Sequence, residues 1–192
     1  MSSSIRAIIL ILVLGSCSAA RYAPPSNLDN ACSIIRENPH YLHAMQNTER
    51  RWGVPVSVQM ATIYQESKFV GNAKTPKTYT FGFIPKGRVS SAYGYAQALD
   101  GTWDEYRDKT GNWAGRRNNI YDASDFIGWY MSETRRRNGV SLSNAEHQYL
   151  AYHEGQGGYS RGTYKSKSWL MRVANEVGNR ASMYNRQLQR CT

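Results

Sequence analysis

The chain has 192 residues, 24 Lys+Arg against 14 Asp+Glu, a formal net charge of +10 and a mean hydropathy of -0.62, with 12% aromatic residues. This balance is too polar for a multi-span membrane protein and too aromatic for a disordered chain, and the length suits one globular domain. Because 17 of the cations are Arg and only 7 are Lys, the charge favours bidentate recognition of carboxylate or phosphate. Nucleic acid, anionic lipid and an acidic polymer are the partners this leaves, and Arg used for solubility alone is the plain alternative.

Arg6 precedes an apolar run over residues 7–14. Eight residues rise only about 12 Å as a helix, against a hydrocarbon core of roughly 30 Å, so the segment reads as an export signal and not a membrane span. The Leu14-Gly15-Ser16-Cys17 ending resembles the bacterial lipobox, which predicts cleavage before Cys17 and lipid on its thiol. Ser18 after it points to the outer membrane. An ordinary signal peptide cut at Ala19-Ala20 is the alternative. The expected division is a signal over 1–16, a tether over 17–31 containing Pro24-Pro25-Ser26-Asn27, and a domain over 32–192. Export places the chain in an oxidising space, where Cys32 and Cys191 are predicted to form a disulfide closing nearly the whole domain. Neither cysteine has a Cys or His at ligand spacing, so no metal and no cofactor are expected.

Helical patterns dominate the rest. Helices are predicted over 40–52 and 56–69, separated by Gly53-Val54-Pro55, then over 96–107, 122–138, 143–153 and 166–189. In the second, Val56, Met60, Ile63 and Ser67 share a narrow arc, and Glu66 falls at its edge, where core meets surface. Alternation through Thr78-Tyr79-Thr80-Phe81-Gly82-Phe83-Ile84-Pro85 predicts a short strand pair. Its aromatics either wall a groove or cover the core. The class is α+β, mainly α, with a small β element.

Gly158-Tyr159-Ser160-Arg161-Gly162 fits the nucleophile pattern of α/β-hydrolases, but no His and no Asp follow Ser160, as that fold requires. These glycines read instead as a flexible groove wall. Three other segments form an ordered set: Tyr64-Gln65-Glu66-Ser67-Lys68-Phe69, then Tyr93-Gly94-Tyr95-Ala96-Gln97, then Leu150-Ala151-Tyr152-His153-Glu154-Gly155. Together they resemble the lytic transglycosylases of the goose-lysozyme-like superfamily, whose marks are a Glu-Ser pair, a Gly-Leu-Met-Gln turn and an Ala-Tyr-Asn-x-Gly segment. The resemblance spans about residues 40–160. The stretch 118–122 is similar to the family's intervening segment, with Asp122 or Ser124 expected to cap the following helix.

The resemblance implies a lysozyme-like helical domain that cleaves the β-1,4 bond between N-acetylmuramic acid and N-acetylglucosamine in peptidoglycan. Glu66 would be the acid, with its pKa raised by burial, and would then take a proton from the sugar's 6-hydroxyl as a 1,6-anhydro ring closes. Against this stands a solvated Glu66 paired with Lys68 or Arg51. Ser67, Gly94, Tyr95, Gln97, Tyr152, His153 and Glu154 are the expected substrate-binding residues. Ser67 alternatively caps or bonds back to its helix, and Tyr152 is expected to bond the Glu66 carboxyl or pack on a sugar. Tyr95-Ala96 replaces Leu-Met, and His153-Glu154 replaces Asn-x. An added carboxylate at Glu154 would support a water-using muramidase, unless a nearby Arg holds it as a surface ion pair. A non-catalytic peptidoglycan-binding lipoprotein is the third reading. The implied partners are glycan strands and, through the lipid, a membrane; nucleic acid is not expected. Periplasmic wall turnover and space-making for an envelope-spanning secretion or appendage system are equally compatible. Arg116, Arg117, Arg135, Arg136, Arg137 and Arg161 are candidates to meet wall carboxylates.

Overall fold

A computed structural model describes residues 22–192; the signal and Cys17 lie outside the described residues. Seven helices and one hairpin follow in order: α1 Ala31–Glu37, α2 Pro39–Trp52, α3 Val56–Ser67, β1 Lys77–Thr80, β2 Ile84–Arg88, α4 Asp100–Thr110, α5 Ile120–Asn138, α6 Ala145–Arg161 and α7 Ser168–Leu188. A 3-10 turn, Thr163–Ser166, joins the last two helices. The fold is the expected lysozyme-like one, α+β and mainly α.

Helix α3 is the hub. Nine of its twelve residues are buried, and α2, α5, α6 and α7 all pack on it. A helix apolar nearly all round belongs in a core. Its buried polar donors are satisfied locally: Gln59 Nε2 donates to Met45 O at 2.9 Å and Val54 O at 2.8 Å, and Thr62 Oγ1 donates to Val58 O at 2.9 Å. Chain reversal on either side uses left-handed backbone. Gly53 (φ 77) caps α2, while Lys68 (φ 53) and Phe69 (φ 63) end α3 at Ser67, two residues before the predicted end. A left-handed Phe is costly, and here its ring is fully buried and stacked on Tyr41 at 5.6 Å.

Three further boundaries move, and one helix was not predicted. The helix expected from residue 96 begins at Asp100, because Gln97 adopts φ 46 and the turn 93–98 closes on itself through a Tyr93–Ala98 bridge. Helix α5 is capped by Asn119, which accepts from Tyr121 N at 2.9 Å, not by Asp122 or Ser124. Asp122 instead accepts from Arg116 N at 2.9 Å and Asn112 Nδ2 at 3.1 Å, pinning the loop before α5. Helix α6 continues past residue 153 through a kink at Gly155 (φ 74, ψ 155), so residues 158–161 are helix and not a flexible wall. Helix α1 has no counterpart in the predicted pattern: seven residues are too short for a periodicity signal, although Asn30 caps it by accepting from Ser33 N.

The N-terminal segment lies along α7. Leu28 O accepts from the Tyr184 hydroxyl and from Arg180 Nη1 at 3.3 Å, and Asp29 pairs with Arg180 at 2.8 Å. Cys32 and Cys191 form the predicted disulfide, 159 residues apart. The β hairpin does not cover the core. Its strands pair with each other and are almost wholly exposed, with Phe81 84% and Phe83 74% exposed.

A loop this long carries large closure entropy, so replacing both cysteines by Ser is expected to lower stability by about 2–5 kcal/mol. A lower urea midpoint measures it, with a steeper slope because the unlinked denatured chain is more expanded.

Candidate active site

The last turn of α3 carries Glu66 into a niche built by α6. Glu66 retains some exposed surface, yet desolvation around its carboxyl dominates and pushes the pKa up to about 7, against a lowering hydrogen bond from Tyr149 and the charge of Lys68. Neither alternative partner forms an ion pair with it. Arg51 pairs with Asp125 at 3.0 Å, and Lys68 Nζ lies over the Tyr64 ring at 3.6 Å. The result is a carboxyl that holds its proton near neutral pH and has a hydroxyl to orient it.

That hydroxyl belongs to Tyr149 and not to Tyr152. Tyr152 donates to Ala96 O at 2.6 Å, and its own ionisation is strongly suppressed by burial and by the nearby Glu66 charge. Tyr149 was legible only through its position three residues before Tyr152, which puts both on one face of α6. Burial and Glu66 likewise keep the Tyr149 hydroxyl protonated far above neutral pH, so it stays a donor.

The Gly94 turn is fixed by close backbone approach. Gly94 has φ 82, its N–H donates to Ala73 O at 2.9 Å, and a Cβ there would lie 2.0 Å from Arg117 O. Gln97 spends its amide donors on Gly94 O at 2.8 Å and Ala73 O at 3.1 Å, bonds in which its carbonyl oxygen takes no part. Arg117 braces the same turn, donating to Ser91 O and Ala98 O and pairing with Asp100 at 2.7 Å; its guanidinium is committed to structure. Tyr95 is 4% exposed, with its hydroxyl 3.1 Å from that of Tyr41, so its ring is core packing. Ser67 is buried and donates to Ile63 O at 3.2 Å, the back-bonding alternative.

His153 is exposed, with its ring edge-on to Trp169 at 5.1 Å and Nδ1 3.1 Å from Glu154. Glu154 is an ion pair, with Lys as its partner: its side chain is 4% exposed, Lys167 Nζ donates at 2.7 Å, and Thr163 donates to the other oxygen. The hydrogen bonds from Lys167 and Thr163 lower its pKa to about 2, which makes it a feeble base. Lys167, thirteen residues after Glu154, gave no sequence signal.

Two outcomes follow for titration. In the unfolded chain Glu66 ionises near the ordinary 4.5, and in the folded protein near 7. Between those values the folded state holds the extra proton, so stability falls as pH rises through this window. Glu66→Gln is therefore expected to match wild type at pH 4 and to melt higher than wild type at pH 8. Tyr149→Phe removes a bond that favours the carboxylate, and the basic limb of the pH–rate profile should move upward.

The comparisons agree with this geometry. No curated protein matches the chain. The family model described as the transglycosylase SLT domain matches residues 5–191, nearly the full length, and takes in all three motif segments. On that match the chain belongs to the transglycosylase SLT domain family, whose members act as lytic transglycosylases on peptidoglycan.

Proposed function

We propose that this protein cleaves the β-1,4 bond between N-acetylmuramic acid and N-acetylglucosamine without water, leaving a 1,6-anhydromuramic end. The observation that carries this reading is the desolvated Glu66 carboxyl held by Tyr149, its pKa pushed up to about 7 by burial. Glu66 gives its proton to the glycosidic oxygen as the C1–O bond breaks and positive charge develops at C1. The resulting carboxylate, steadied by the Tyr149 hydroxyl, takes the proton of the 6-hydroxyl as that oxygen bonds to C1. The proton count closes and the acid is regenerated, so one carboxyl serves both steps.

A hydrolytic muramidase would need a base for water. Glu154, the candidate for that role, is engaged by Lys167, Thr163 and His153 and ionises near 2, which supports the anhydro route over hydrolysis. Gln97 Oε1 is suited to accept from an acetamido N–H. The mature protein would hang from acylated Cys17 in the periplasm, facing the wall; incorporation of labelled fatty acid that is lost in Cys17→Ala tests the anchor.

Purified sacculi digested by wild type are expected to release muropeptides lighter by one water than hydrolysis products. Glu66→Gln should slow release by about 10²–10⁴-fold. Products of hydrolytic mass, or release unchanged in Glu66→Gln, would overturn the assignment. With a single acid of pKa about 7, activity is expected to hold below neutrality and fall as pH rises above it.

A further inference from the structure

The β1–β2 hairpin stands away from the helical body. Its strands pair only with each other, Lys77 with Arg88 at the base and Thr80 with Ile84 at the tip, and no helix packs on either strand to any extent. A two-stranded ribbon without a buried face is marginal in water, and this one presents apolar side chains where solvent meets them. Phe81 is 84%, Phe83 74% and Ile84 48% exposed. From Phe81 to Pro85, five consecutive residues, no side chain carries a hydrogen-bonding group. The turn is sharp, with Phe81 at φ 51 and Gly82 at φ 80, so the two Phe rings project from a convex end.

We propose that this hairpin docks on an anionic lipid surface, with the Phe81-Gly82-Phe83-Ile84 tip in the interface and the basic residues behind it on the head groups. Charge complementarity selects the partner. Between Ser67 and Leu99 there is no acidic residue, while Lys68, Lys74, Lys77, Lys86 and Arg88 are all cationic, and Lys77, Lys86 and Arg88 make no ion pair among the described residues. The spacing fits as well. Three residue steps separate the Thr80–Ile84 pair from the Lys77–Arg88 pair, about 10 Å at the rise of a strand, which matches the roughly 5–10 Å depth of interfacial insertion. A glycan would need polar side chains beside the rings to meet its hydroxyls, and the tip has none. No hairpin residue is among the groups that act on the Glu66 carboxyl, and the proposal stands or falls independently of the cleavage chemistry.

The test uses full-length protein with vesicles of phosphatidylcholine, with and without phosphatidylglycerol, read by co-sedimentation. Anything the first twenty residues add is common to every protein compared. Relative to wild type, Phe81→Ser/Phe83→Ser is expected to bind anionic vesicles at least about tenfold more weakly. Lys77→Gln/Lys86→Gln/Arg88→Gln should lose a similar factor on anionic vesicles only, with a steeper loss in low salt. Because the hairpin packs on no helix, the melting temperature should stay that of wild type. Position is read separately: Phe83→Trp should add emission that brominated acyl chains quench. Unchanged vesicle binding by both multiple variants, or an unquenched Trp at position 83, overturns the proposal. So does loss of sacculus binding with vesicle binding intact, which makes the hairpin a glycan wall, or a wild-type dimer that the Phe variants abolish.

Discussion

A carboxyl at the end of a helix with almost no solvent face is the constraint around which this molecule is arranged. Burying α3 on four sides gives the domain its centre, and it also forces Glu66 into surroundings that resist its ionisation. The same packing that stabilises the fold thus destabilises one side chain above neutral pH. That is a common bargain at sites where an acid must remain protonated.

Three short segments distant in sequence meet because hydrogen bonds tie them pairwise. Tyr149 on α6 reaches Glu66 on α3. Tyr152, one turn further along α6, reaches Ala96 in the glycine turn. Gly94 and Gln97 in that turn reach Ala73, just beyond α3. The closed triangle holds the acid more rigidly than any one bond would, and the costly backbone at Lys68, Phe69 and Gln97 sits within it. Glu154 is tied into the frame: its bonds to Lys167 and Thr163 join the kinked α6 to the 3-10 turn leading into α7.

The periphery divides into a tied part and a projecting part. Asp29, Arg180 and the Cys32–Cys191 bridge fasten the chain's two ends to α7 and to each other. Part of the basic surplus is structural too. Arg51, Arg117, Arg136, Arg137 and Arg180 are each paired with a carboxylate. The cations of the hairpin lie beside the most exposed aromatic rings of the described chain.

Composition and pattern alone determined the helical class, the strand pair, the disulfide and the segment that bears Glu66, because amphipathic period, turn residues and cysteine number are local or countable properties. The family resemblance rested on motif order, which sequence also carries. Tertiary structure decided what each motif residue does. Tyr152 and Tyr149 are equally good hydroxyl donors on one helix face, and only the packing of α6 against α3 and the glycine turn assigns one to Glu66 and the other to Ala96. Tyr95 and Glu154 looked like groove residues until burial and Lys167 claimed them. Pairings across thirteen, fifty-six or eighty-three positions leave no periodic trace, so a single sequence reveals the chemistry that is present but not the neighbour that sets each pKa.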